Sequence, residues 1–392
     1  MGLAEFRQET RAWLEENCPP GARGPGYVPL GSTKIELEPD TRLWLERMAE
    51  KGWTVPTWPR AYGGAELGRE EYQILIEELQ AISARTPLTG RGVNYIGPTI
   101  LEYGTDEQKA RWLPLCARGE GAWAMGYSEP GAGSDLASLS LKAERQGDHF
   151  VLNGSKIWTS DAIYCDYIFV LVRTSPEKPK HEGISLVLVD MSQEGVQVRP
   201  IQLISGASPF CETHFDNAIC PADDLIGGLD NGWTVGKRLL QFERSTHAGI
   251  NISGSQGGRT EQSKVRDQVV KYLGDEQGVV TEPAMRSWLT RHEMNTKAQQ
   301  LTQKRAIEEL QSRAPGFTSS AVKLSNALNI QDGDELVMEA MGLNGLRWGE
   351  DADQDELEQT KKWLYQKSLT IAGGTKEVQM NIIAKRVLGL PD

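Results

Sequence analysis

The sequence predicts an α+β protein in which helices and strands are segregated along the chain in the order helical, strand-rich, helical. Three observations carry this reading. Apolar residues recur at helical spacing as far as about residue 120. Short β-branched and aromatic runs bounded by turn residues then occupy about 122 to 235, and helical spacing returns after Gly232-Trp233. The chain is divided accordingly into an N-terminal helical region over 1–120, a middle β-region over 121–235 and a C-terminal helical region over 236–392.

In the first region Phe6, Trp13 and Leu14, then Leu43 and Met48, then Tyr72, Leu75, Ile76, Leu79 and Ile82 mark amphipathic helices. Pro19-Pro20-Gly21, Pro56 to Pro59 and Gly63-Gly64 separate them. In the middle region His149 to Leu152, Tyr167 to Val172, Ile184 to Val189 and Val196 to Val198 read as strands. Gly147-Asp148 and Asn153-Gly154 are tight-turn signals on either side of the first of these runs. The last region shows long helical stretches broken near Gly274 to Gly278 and Gly342 to Gly349, with a final helix ahead of Pro391. The acidic run Glu350 to Glu358 reads as a solvated loop or a helix start.

Composition narrows the function. Charge interrupts every long apolar run in a chain that is 39% hydrophobic and 24% charged, which argues against a membrane-spanning helix of about 20 residues. A net charge of -12 without a basic stripe disfavours nucleic acid as a partner. The start Met1-Gly2-Leu3-Ala4-Glu5-Phe6-Arg7 lacks the pattern of a secretory signal, so a cytoplasmic location is expected. The five cysteines (Cys18, Cys116, Cys165, Cys211, Cys220) are an odd number scattered over the chain and are expected as free thiols. Cys211 and His214 lack a second Cys or His pair nearby, and no metal is assigned.

Two segments suit a ligand site. Tyr127-Ser128-Glu129-Pro130-Gly131-Ala132-Gly133-Ser134-Asp135 is a loop whose small residues admit close backbone approach, while Ser128 and Ser134 offer hydroxyls. It matches neither the phosphate-cradling Walker A pattern nor GxGxxG. Asn153-Gly154-Ser155-Lys156-Ile157-Trp158-Thr159-Ser160 places an indole beside hydroxyls and amides, which suits stacking on a flat heteroaromatic ring. An ordinary hairpin can carry Trp and Thr as well; the spacing of the two segments within a chain of this order argues for the ligand.

Together these segments resemble the flavin-binding signature of the acyl-CoA dehydrogenases. The similarity extends to Lys51-Gly52-Trp53 with Trp58, Tyr62-Gly63-Gly64, Glu77-Glu78-Leu79 and the closing run Thr370-Ile371-Ala372-Gly373-Gly374-Thr375-Lys376-Glu377-Val378-Gln379. The resemblance implies an N-terminal helical domain, a middle β-barrel or sandwich and a C-terminal four-helix bundle. It implies FAD as cofactor, held by Met125, Tyr127, Ser128, Trp158, Thr159, Ser160, Thr375 and Gln379, with Ser134 facing the substrate or its CoA arm. It further implies an acyl-CoA substrate, electron-transfer flavoprotein as acceptor, and a homo- or hetero-oligomer built as a dimer of dimers.

The chain departs from the family pattern where catalysis is expected. Many members carry the catalytic glutamate in the closing motif, where this chain has Gly373. Members similar to the isovaleryl-CoA and long-chain enzymes place it beside an arginine on the helix after the β-domain, and here Leu240-Gln241-Phe242-Glu243-Arg244 stands there. Glu243 is therefore the candidate base, strengthened as a proton acceptor if a closed pocket removes its water. Arg244 is the candidate at the substrate end, and the backbone N–H of Gly373 a candidate oxyanion donor. Without the resemblance, Glu243 and Arg244 read as a solvated pair on a helix surface. The segment Gln277 to Asn295 lacks the family's Arg and Phe-Gly contact to the flavin's adenine end, and Glu339 stands where a glutamine is common. Two alternatives thus stand beside an active dehydrogenase: a non-catalytic or half-site subunit of a heteromeric enzyme, and a family fold reused for structure or ligand binding.

Overall fold

The computed structural model describes residues 2–247, 261–277, 279–311, 318–350 and 352–391. By contacts the chain forms two compact units, one of Met1–Ile201 and Pro209–Glu243, the other mainly of Gly257–Asp392.

The first unit opens with five helices, α1 (Leu3–Asn17), α2 (Pro39–Glu50), α3 (Arg69–Ala81), α4 (Gly97–Tyr103) and α5 (Asp106–Arg118). Phe6 and Leu14 on α1, Met48 on α2, and Leu75 and Leu79 on α3 are buried as the apolar spacing read from the sequence predicts, but Leu43 is exposed and Leu45 takes the buried place on α2. Thr105 caps α5 by accepting the Gln108 N–H, while the Gln108 side chain accepts from Thr105 N–H.

Eight strands follow: β1 (Trp123–Gly126), β2 (Lys142–Gln146), β3 (His149–Ile157), β4 (Tyr167–Arg173), β5 (Ile184–Asp190), β6 (Val196–Ile201), β7 (Phe210–Pro221) and β8 (Leu225–Ile226). They form one mixed sheet in the order β6-β7-β3-β2-β4-β5-β8, with β1 paired parallel to β4. Strand β4 explains why the helices and the sheet make one unit. Ile168, Val170 and Val172 point into a core with Phe150, Leu152, Val187 and Cys211, whereas Phe169 and Leu171 join Trp112, Leu113, Ile96 and Ile100 of the helical layer. A strand buried on both faces needs apolar residues at every position, and Tyr167-Ile168-Phe169-Val170-Leu171-Val172 supplies them. Helix α6 (Gly232–His247) packs on the same helical face through Val235 and Leu239.

One of the two turn signals is corrected. Gly147 (φ 65°) does join β2 to β3, but Asn153-Gly154 lies inside β3 as a bulge against β7, where the register shifts between Leu152 and Gly154. Gly154 takes φ 143°, and a Cβ there would stand 3.0 Å from the Leu141 Cα. The local pattern is that of a turn, but pairing with β7 carries the strand through it.

In the second unit α7 (Glu261–Leu273) leads to a short hairpin of β9 (Asp275–Glu276) and β10 (Val279–Val280). Helices α8 (Pro283–Gln311), α9 (Thr318–Met341), α10 (Gln354–Gln366) and α11 (Lys376–Ile382) follow. Helix α9 is the centre of this bundle, in contact with α7, α8, α10 and α11. Asp353 caps α10 through the N–H groups of Asp355 and Glu356, so the acidic run is a helix start. No helix among the described residues is long and apolar enough to cross a membrane. All five cysteines are free and buried.

Gly154→Val is expected to lose roughly 1–3 kcal/mol, because a β-branched residue would meet both a disfavoured φ and the β2 backbone. Urea unfolding measures the loss; an unchanged midpoint would show that the bulge is not constrained.

Candidate active site

Strand β1 runs into the loop Tyr127–Asp135 and β3 ends at Trp158–Ser160, yet β1 and β3 are not paired with one another. Lys156 joins them. Its side chain is fully buried, and its ammonium donates to the Tyr127 carbonyl at 3.0 Å and to Glu129 Oε1 at 2.8 Å. Beside it, Ile157 N–H donates to the Ser128 carbonyl at 2.9 Å. Glu129 accepts three further hydrogen bonds, from Ser140 N–H, Ser140 Oγ and Leu141 N–H. Burial pushes the Lys156 ammonium down to about 8 against the pull of Glu129, and it remains charged at neutral pH. Burial pushes Glu129 upward, but Lys156 and the N–H groups of Leu141 and Ser140 outweigh it and hold the carboxyl below its usual range. Lys156 and Glu129 carry no role in the sequence reading, although a lysine on a strand otherwise turned inward is the signal that could have found them.

The loop beyond this pair is open. Gly131 and Gly133 have nothing near the positions of a Cβ, and Ser134 is exposed. Its neighbour Asp135 pairs with Lys180 at 2.8 Å, and Arg173 donates to the carbonyls of Ala137, Leu139 and Lys180, which fixes the loop's far end.

Trp158 adopts φ 63° with its indole 52% exposed, edge-on to Phe210 at 6.0 Å. A left-handed conformation costs a non-glycine residue roughly 1–2 kcal/mol, and exposing an indole forgoes its burial. Both mark a position whose conformation the surrounding structure imposes. Ser160 is half-buried, and Asp161 (φ 59°) pairs with Arg91 at 3.3 Å. Thr159 is a correction. It is fully buried, its N–H and Oγ1 both bond to the Cys211 carbonyl and Oγ1 also meets Thr213 Oγ1, so its polar groups brace the turn instead of facing a flavin.

Met125 is half-buried at the end of β1, and Ser128 is half-buried above Lys156. The Tyr127 phenol turns the other way, into the core under α6, with its oxygen 3.4 Å from where a Cβ on Gly236 would stand. Its side chain is thus not on the open loop surface where a cofactor contact was expected. Glu243, half-buried near the end of α6, acts on this region: burial first and the Glu243 charge second raise the phenols of Tyr127 and Tyr95. Tyr95 sits in a π-helical turn over Gly92–Ile96, an irregularity frequent at functional sites. The side chain of Arg244 lies outside the described residues.

In the second unit the closing motif forms a loop ahead of α11. Gly373 (φ 65°) and Gly374 (φ 94°) adopt conformations rare for other residues. The Gly373 N–H meets no acceptor among the described residues, and the nearest atom to a Cβ there is Lys323 Cε at 3.8 Å. Backbone conformation, not crowding, therefore favours glycine. Lys323 holds the loop through the carbonyls of Leu369 and Gly374. Thr375 caps α11 by accepting the Val378 N–H. Gln379 is 1% exposed and donates to the Gly373 carbonyl at 3.1 Å, while its Oε1 has no partner; it is an internal brace of the loop, not an outward contact. Glu339 is exposed on α9.

A mixed sheet packed with helices, carrying an open glycine loop and an exposed indole, defines the class, an α+β protein with a surface suited to stacking a flat ring. The comparisons place it within that class. The descriptions "Acyl-CoA dehydrogenase, N-terminal domain", "middle domain" and "C-terminal domain" match residues 3–120, 124–218 and 230–388. Acyl-CoA dehydrogenase IpdE1 of Mycobacterium tuberculosis is 35% identical over 99% of this chain and 98% of its own length. The structure of the Tcur3481-Tcur3483 steroid ACAD superposes with a TM-score of 0.76 at 31% identity, covering 99% of this chain and 97% of that one. The ChsE4-ChsE5 complex from Mycobacterium tuberculosis gives 0.74 at 29%, covering 100% and 98%. The chain belongs to the acyl-CoA dehydrogenase family, whose members are flavoproteins.

Lys156→Met should cost about 3–5 kcal/mol, because it leaves the Glu129 carboxylate buried without its cation, whereas Glu129→Gln combined with Lys156→Met should recover much of the loss. Urea unfolding of the two variants checks this; equal losses in the single and double variants would contradict the pairing.

Proposed function

We propose that this chain catalyses the α,β-dehydrogenation of an acyl-CoA thioester to the trans-2-enoyl-CoA, with Glu243 as the base and FAD as the cofactor. The observation that carries the reading is the convergence, in one unit, of the two flavin-signature segments on the exposed Trp158, with the Glu243 charge felt by the Tyr127 phenol of the same loop. The residues fit a flavin's ring: an indole held at positive φ offers a face, and Ser128 and Ser160 are half-buried beside it. When bound, FAD supplies the acceptor for the hydride that leaves the β-carbon, and electron-transfer flavoprotein is the acceptor in turn.

The chain's own residues do the rest. Glu243 takes the α-proton. Trp158 walls the ring side, and the glycine loop and Ser134 admit the thioester and its CoA arm. Arg244 is proposed for the substrate end from the family pattern. Since a similar structure is named a steroid dehydrogenase, a bulky polycyclic acyl group is the substrate to test first.

A second reading has its own support. Two similar structures are named as pairs of different chains, and this chain lacks the family's adenine-end motif between Gln277 and Asn295. It would then be one subunit of a heteromeric dehydrogenase, with a partner chain completing the flavin site.

The purified chain should be yellow, absorbing near about 450 nm as oxidised flavoproteins do, and steroid-type or branched acyl-CoA should bleach it without oxygen. A colourless chain that gains flavin only with a second subunit would favour the heteromeric reading. Glu243→Gln should retain the flavin and slow bleaching by roughly 10²–10⁴-fold, the usual contribution of a general base; bleaching at the original rate would reject the assignment.

A further inference from the structure

The mechanism leaves unused a buried phenol beside the proposed base. The Tyr127 side chain is 3% exposed and its hydroxyl makes no hydrogen bond among the described residues. Leaving a buried hydroxyl unpaired is costly, so its place in the structure calls for a partner. The hydroxyl reaches α6 at Gly236, a position with no side chain to obstruct it. Gly236 and Glu243 are seven residues apart and lie on one face of the helix, with the fully buried Leu239 between them. Their Cα atoms are about 10.5 Å apart at roughly 1.5 Å of rise per residue. Helical side chains lean toward the N-terminus, which carries the Glu243 carboxylate back along α6 toward the phenol. The influence of the Glu243 charge on Tyr127 agrees with that approach.

We propose that Tyr127 is a positioning residue for Glu243: its hydroxyl donates to the carboxylate through one water and holds it in a single orientation. This rests on the reading of Glu243 as the base. Among the described residues, ionisable groups near the pair include Tyr95 and Arg91 from the π-helical turn, with Asp161 on Arg91, and Lys156 behind the Tyr127 carbonyl. Tyr127 supplies no atom to the reaction.

The test uses the protein as isolated and its Tyr127→Phe, Glu243→Gln and double variants. Tyr127→Phe should keep the flavin spectrum and hold KM within about twofold, while slowing bleaching about tenfold. In melting experiments Tyr127→Phe should lower Tm by about 2–4 °C when Glu243 is intact and by much less beside Glu243→Gln. An unslowed bleaching rate with equal Tm changes in both backgrounds would overturn the positioning role, even if Glu243→Gln abolishes bleaching. Full bleaching by Glu243→Gln would instead overturn the base assignment on which the proposal rests.

Discussion

The first unit is organised around a lysine with no access to water. Lys156 is buried beneath the segment it organises, and its ammonium is compensated by one carboxylate and one main-chain carbonyl. Because an unpaired charge at that depth would cost several kcal/mol, the loop Tyr127–Glu129 has little freedom to leave β3. The Ile157 to Ser128 hydrogen bond repeats the link along the backbone. Trp158 follows two residues after Lys156, so the left-handed turn that presents its indole begins from a fixed point.

The sheet sets the positions of the other groups in that unit. Strand β4 is buried on both faces, one toward the curled sheet and one toward α4, α5 and α6. The second face brings α6 against Tyr127 and Leu171, and Gly236 is the residue that allows so close an approach. Glu243 lies two turns further along the same helix, half-buried.

Most of the fold was legible in the sequence because periodicity reports burial. The helical stripe of α3 and the continuous apolar run of β4 are visible without coordinates, and both occupy the positions expected. What failed was local chemistry overridden by tertiary pairing. Asn153-Gly154 has the composition of a turn and serves as a bulge, since β7 pairs on both sides of it. At the site, the sequence does not carry the direction of each side chain. Alternation along the turn after β3 sends Thr159 inward while Trp158 faces out. Tyr127 contributes its carbonyl to Lys156 and its phenol to the core, and Gln379 closes its own loop. The partnership of Lys156 with Glu129 spans 27 residues and two unpaired strands, which no local pattern encodes.

The central claim is that a flavin ring lies on Trp158 with the α-carbon of a thioester beside Glu243. A crystal structure of the flavin-loaded protein with an unreactive thioester analogue, joined by a partner subunit if one is required, tests it most directly. The account predicts density for the ring against the Trp158 indole and a Glu243 carboxylate oxygen within about 3–3.5 Å of the α-carbon. Density placing the ring away from Trp158, or the α-carbon beside some other base with Glu243 facing bulk water, would contradict it.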